Sequence, residues 1–347
     1  MSNIPFEEIV NILADLDGDQ KQQLITILLG SPLTTSTLPA IEKIRELRFH
    51  DGLYCPHCTA RGPFKRNGTY RGRQRYLCYS CRRTFNDFTG TPIHHTHYPD
   101  KWAEYLKCME QGLSIRKSAK IVGVTVPTAF TWRHKILHAL SEIRNQSLEG
   151  IVEADEMYLL YSEKGKRRLP REARKRGGVA STRGISKEQL CILVARDRTK
   201  NTISEAVTFG RLDARRLDNI LSYRLQPGII LCTDEEQTFR KYCRENQIQH
   251  ERVNPGKKRF VTKEIYHIQN VHAFNSRFRS FIRPFHGVAT KYVNHYLAWH
   301  SYLDETTLLL PKFRAEEMML NALLQPMKTV GIRIPQYCDA KLKEIAS

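Results

Sequence analysis

The chain has 347 residues, 41% of them hydrophobic and 26% charged, which is enough apolar material for two or three folded domains and too much for a disordered chain. Its 55 Lys and Arg outnumber 36 Asp and Glu, and the net charge of +19 points to a polyanionic partner, nucleic acid before a membrane surface. No apolar run approaches the roughly 20 residues that span a bilayer. The start, MSNIPFEEIVNIL, has neither the basic head nor the apolar core of a secretion signal, so a cytoplasmic, nucleoid-associated protein with no membrane partner is expected.

Residues 1–47 carry apolar side chains at helical spacing (Phe6, Ile9, Val10, Leu13, then Leu24 to Leu29) and are expected to form a helical segment. Residues 48–92 hold Cys55-Pro56-His57-Cys58 and Cys78-Tyr79-Ser80-Cys81. Two such knuckles about twenty residues apart are the spacing of a four-cysteine structural Zn2+ site. Asn67-Gly68 and Arg71-Gly72 are turn signals between short β-rich pieces, so this region reads as a zinc ribbon. Arg71, Arg73 and Arg75 interleave with tyrosines there, a pattern suited to phosphate contact. Cys108, Cys191, Cys232, Cys243 and Cys338 lie scattered in apolar stretches and read as small core residues.

Residues 99–146 read as helical, and Gly112 to Leu137 has the form of a helix-turn-helix. Leu113, Ala119 and Val122 face inward, Gly123-Val124 turns, and Thr125 caps a second helix whose inner face is Ala129, Trp132 and Ile136. That helix would offer Thr128, Thr131, Arg133 and His134 to a major groove; a plain helical hairpin is the alternative.

From Gly150 the period changes to strands. GIVEADEMYLLY places Asp155 mid-strand between Glu153 and Glu156, and a basic tract from Lys164 to Arg176 follows, with Lys166, Arg167 and Arg168 as candidate backbone contacts. Strands are expected over Gln189–Arg198 and Asn201–Gly210, then a helix. The buried run Ile229 to Cys232 next ends at Asp234. A further helix, a short strand at His250–Asn254 and a long helix complete the element order of the ribonuclease H-like fold. Capping of the next helix is the plain reading of Asp234 alone. Two strands each delivering an aspartate instead suggest a site for Mg2+ or Mn2+, hard cations that take oxygen ligands and assist phosphodiester transfer.

The segments RYLCYSCRRTFNDFTGTP, VEADEMY, LCTDEEQTFRKY, HERVN and HIQNVHAFNSRFRSFIRPFHGVATKYVNHYLAW resemble the DDE transposases of bacterial insertion sequences, in the zinc-ribbon (ISXO2-like) branch. The resemblance implies a multidomain α+β chain: helical segment 1–47, zinc ribbon 48–92, helix-turn-helix region 99–146, a ribonuclease H-like catalytic domain with a mixed five-stranded sheet over 150–300, and a C-terminal helical tail 301–347. It implies an enzyme that binds terminal inverted repeats and target DNA as double strands, works as a homo-oligomer on them, and cleaves and rejoins strands. In the family pattern a catalytic Glu stands where this chain has His272, and a basic residue two helical turns on is matched by Arg279 on the same face. Asp155, Asp234 and His272 are thus the expected catalytic and metal-holding set with Arg279 beside them. Asn270, Asn275 and Glu264 are the nearby substitutes should His272 not serve. A regulator, or a decayed transposase that binds DNA without cutting, is the alternative.

Overall fold

A computed structural model of the chain describes residues 16–17, 20–21, 40–143, 147–169, 172, 178–254, 261–309, 311–324 and 334–346. Most of the expected N-terminal helical segment lies outside these residues, although Ala40–Arg48 is a helix (α1). The chain divides into two compact units, 1–139 with 306–328 and 140–305 with 329–347. The expected tail 301–347 is therefore shared between them.

In the first unit a three-stranded antiparallel sheet, β1 (Phe64–Tyr70), β2 (Arg73–Cys78) and β3 (Thr84–Phe85), follows the first cysteine knuckle and carries the second at the end of β2. Tyr70 pairs with Arg73, so Arg71-Gly72 is the two-residue hairpin, and both residues have the positive φ (50° and 74°) that a type I′ turn demands. Asn67-Gly68, the other expected turn, lies within β1 at a shift of register between Arg66 and Thr69: Gly68, at φ 68°, makes a bulge there, not a reversal. Helices α2 (Trp102–Glu110), α3 (Ile115–Val122) and α4 (Val126–Glu142) follow. Ser114 caps α3 at its start, and Gly123 ends it in the left-handed conformation at φ 66°, a geometry that costs glycine nothing. Thr125 Oγ1 then accepts from the Thr128 N–H at the head of α4. Trp102, Tyr105, Ala119, Val122, Ala129, Trp132 and Ile136 are buried, as the period-3.6 reading requires.

The second unit is built on a mixed sheet: β4 (Ile151–Leu160), β5 (Gln189–Asp197), β6 (Thr202–Phe209), β7 (Ile230–Thr233) and β8 (Gln249–Arg252), in spatial order β6-β5-β4-β7-β8. β4, β5 and β6 pair antiparallel, whereas β7 and β8 join parallel to β4 and to each other. Helices α5 (Ala214–Leu221) and α6 (Gln237–Glu245) cover one face over Val152, Ala154, Leu193, Ala195 and Leu231. Helices α7 (Gln269–Ile282) and α8 (Val293–Glu305) pack on the other, with Phe274, Phe278 and Trp299 buried. Helix α9 (Pro311–Leu324) belongs to the first unit and α10 (Ile334–Ala346) to the second. No helix of the described residues is long and apolar enough to cross a membrane.

Candidate active site and metal centre

Strand alternation sorts the three acids of β4. Val152 and Ala154 belong to the core under α5 and α6, so Glu153 and Asp155 point to the opposite face, the one α7 covers. The parallel pairs Ile151–Ile230, Val152–Leu231 and Glu153–Cys232 fix the register of β4 on β7. Asp234 follows directly after β7; its charge is felt at Asp155, and both acids feel His272 of α7.

Helix α7 crosses above them. His272 Nε2 lies 3.5 Å from Asp155 Oδ2, and one turn on, Asn275 Nδ2 donates to the same oxygen at 2.9 Å. Burial raises the Asp155 carboxyl above the ordinary carboxylate range; the nearby Asp234 charge pushes the same way, while His272 and the Asn275 amide oppose them. Asp234 is raised too, again chiefly by burial. Its Oδ1 accepts the Glu236 N–H at 3.0 Å, closing a turn two residues ahead of α6. The cap position of α6 is held by Glu236, so Asp234 makes a turn ahead of the helix and is not its cap residue. Arg279 lies exposed on the His272 face of α7. Of the substitutes for His272, Asn275 reaches Asp155, Asn270 is tied to Glu153, and Glu264 is exposed.

Glu156 sits on the opposite face, beside Glu236. Burial first and the Glu236 carboxyl second, with smaller pushes from Asp155 and Asp234, take it up to about 10, so it is protonated at neutral pH. Three residues had roles the sequence signalled only weakly. Asn275 shares a helix face with His272 at i+3, Glu153 shares a strand face with Asp155, and Glu236 is placed only by the tertiary fold.

The four knuckle cysteines converge, each Sγ within 4.8 Å of the others. Cys55 to Cys81 and Cys58 to Cys78 are both 3.7 Å. Four thiolates at Zn–S bonds of about 2.3 Å around a tetrahedral ion stand roughly 3.8 Å apart, so this arrangement can hold a metal ion. Burial pushes the Cys55 thiol up to about 12, whereas N–H groups of its own knuckle, Cys81 first, draw Cys78 down to about 7. His57 turns its Nε2 to the Thr84 carbonyl at 3.2 Å. Among the described residues this is the one group of three or more His, Cys, Asp and Glu drawn so close.

The expected DNA-contact residues fare unevenly. Arg133 and His134 are 0% and 2% exposed, which corrects their assignment to a groove-facing surface. Arg133 Nη2 donates to the Leu113 carbonyl at 2.7 Å, because the 17-residue α4 is buried on most sides from Trp132 to Leu140 and meets solvent mainly at its ends. Thr131 is exposed and Thr128 half-buried. In the ribbon, Arg71 donates to the Thr96 carbonyl, Arg73 pairs with Asp87 and lies over the Phe88 ring, and Arg75 donates to Thr84. Arg167 and Arg168 are exposed, and Lys166 bonds Glu163 at 2.6 Å. Residues 170–171 and 173–177 of the same tract lie outside the described residues.

The sequence profile of the ISXO2-like transposase domain matches residues 147–302, from just before β4 to near the end of α8. A protein in the transposable element ISH50 of Halobacterium salinarum is 30% identical over 264 residues, which cover 74% of this chain and 87% of that one. Among solved structures, a pre-cleavage Mos1 transpososome chain aligns at 10% identity over 87% of this chain and 94% of its own, with a TM-score of 0.23. The Mos1 strand transfer complex aligns at 10% identity over 79% and 98%, with a TM-score of 0.18.

Proposed function

This chain belongs to the ISXO2-like transposases of insertion sequences, and from that premise we propose that Asp155, Asp234 and His272 form the active site of a DDE-type polynucleotidyl transferase on a ribonuclease H-like fold. The observation that supports the reading is His272 Nε2 on α7 at 3.5 Å from Asp155 Oδ2, with the charge of Asp234, just after β7, felt at Asp155. The five-strand order, three antiparallel and two parallel, supports the fold reading.

The donor set fits a hard divalent cation. Two carboxylates raised by burial, each with a neighbouring carboxylate that adds to the rise (Asp234 for Asp155, Glu236 for Asp234), are a site short of positive charge. Asp155 and Asp234, with His272 beside them, would hold Mg2+ or Mn2+, which supplies charge stabilisation and a nucleophile at neutral pH in phosphodiester cleavage. An imidazole in place of the family carboxylate shifts preference toward Mn2+. Asn275 keeps the Asp155 carboxylate turned toward the site. Exposed Arg279, Arg167 and Arg168 offer positive charge to the strand being cut.

The four cysteines are read as a structural Zn2+ centre of the ribbon, and Thr128 and Thr131 as the part of the helix-turn-helix that reaches DNA. The DNA partner is the double-stranded terminal repeat of the element and its target, engaged by an oligomer of this chain. The test is metal-dependent nicking of a duplex carrying the inverted repeats that flank the gene. Wild type should cut with Mn2+ and with Mg2+, His272→Ala should be crippled, and His272→Glu should keep its Mg2+ activity. A wild-type protein that binds the repeats and cuts with neither ion would overturn the enzyme reading in favour of a protein that only binds DNA.

A further inference from the structure

Glu153 is a fully buried acid, 0% exposed, two residues before Asp155 and on the same face of β4. A buried carboxylate persists only with partners, and here they all converge on one place, the start of α7. Glu153 Oε2 accepts the main-chain N–H of Asn270 at 2.8 Å and of Val271 at 3.1 Å. Oε1 accepts from Asn270 Nδ2 at 2.7 Å, faces Arg198 Nη1 at 2.9 Å and lies 3.3 Å from His267 Nδ1. Arg198 reaches on to His267 Nε2 at 2.7 Å and to the Ile265 carbonyl at 3.0 Å, binding the segment that leads into the helix.

The first N–H groups of a helix have no partner within it and need acceptors from elsewhere. The residue at the cap position of α7 is Ile268, which has no side-chain acceptor to give. The sheet supplies the missing cap. A charged acceptor at a helix N-terminus is also favoured by the helix dipole. One strand therefore fixes the helix at Glu153 and meets its working face at Asp155, where His272 stands at 3.5 Å and Asn275 at 2.9 Å.

We propose that Glu153 is a positioning residue for the transposase reaction: it pins the N-terminus of α7 to β4 and so sets the height of His272 and Asn275 over Asp155. The inference rests on the active-site reading above. It also gives the β4 acids separate duties, with Asp155 at the reacting site and Glu153 holding the helix that completes it.

In Glu153→Gln the size is kept, but one oxygen becomes an NH2 that meets the donors of Asn270 and Arg198, so the first turn of α7 loses part of its cap. Displacements of about 1 Å at a reacting site cost on the order of 10²-fold in rate. The experiment is single-turnover nicking of the terminal-repeat duplex by full-length protein, with Kd for that duplex and Tm measured alongside. Glu153→Gln should cut about 100-fold more slowly, with Kd within about twofold of wild type. Asn270→Ala removes one side-chain bond, leaves both main-chain bonds, and should cut about fivefold more slowly with the same unchanged Kd. It decides the matter should the Gln variant fail to fold. Asp155→Asn serves as the control: if it cuts, the active-site reading itself falls. If Asp155→Asn is dead while Glu153→Gln and Asn270→Ala cut at the parental rate, or lose binding in step with cutting, Glu153 has no positioning role.

Discussion

Asp155 and Asp234 are each buried enough to raise their carboxyl groups; the Asp234 charge adds to the cost at Asp155, and the Glu236 charge adds to it at Asp234. A raised carboxyl is one that the folded protein prefers protonated. Above the raised values the ionised acids therefore work against folding, and the penalty fades as pH falls through those values toward the ordinary 3.8. Asp155→Asn and Asp234→Asn remove that charge at constant size, so each should raise the Tm of metal-free protein at pH 7. The gain should shrink as the scan is repeated at lower pH. Equal Tm for wild type and both variants at pH 7 would show that the acids are better solvated than their burial implies. Adding Mg2+ should stabilise the wild type and leave the variants nearly unmoved, because a ligand stabilises only the state that binds it.

At the scale of elements, the four-cysteine centre is expected to hold the ribbon together. A sheet of three short strands around Cys55, Cys78 and Phe85 is too small a core to stand unaided. Purified protein should contain about one zinc per chain. Cys78→Ser should lose it and lose the ribbon's protection from proteolysis, while residues 150–300 keep theirs. Full zinc retention in that variant would remove Cys78 from the centre. Much of this architecture was legible in the sequence, because it depends on local spacing: the cysteine knuckles, the Gly123 stop, the capping Thr125, and five runs of strand residues. The placement of the two aspartates follows from the same spacing, Asp155 within β4 and Asp234 just after β7. What spacing could not give was orientation set by the tertiary fold. Arg133 and His134 fit the exposed side of a short recognition helix, but α4 is a 17-residue helix that is buried on most sides from Trp132 to Leu140, and both side chains lie in the interior. Asn67-Gly68 has turn chemistry, yet the hairpin closes at Arg71-Gly72 and leaves Gly68 to make a bulge. Glu153 and Glu156 differ by three residues on one strand, and only the placement of α6 and α7 shows that one caps a helix while the other sits protonated beside Glu236.

For the whole molecule, a charge of +19 and two compact units fit a protein that grips DNA with many contacts and cuts with few residues. The sequence-independent part of that grip should weaken steeply with salt, as counterion release requires. Cutting should instead depend on the acid pair. These two properties separate most cleanly in one measurement: binding and nicking of the same terminal-repeat duplex by wild type, Asp155→Asn and Asp234→Asn, with Mg2+ or Mn2+ present. The expected result is duplex affinity within about threefold of wild type for both variants and a loss of nicking beyond about 10³-fold in each, since the amide removes the charge that holds the metal. Parental nicking by either variant would contradict a catalytic centre at Asp155 and Asp234.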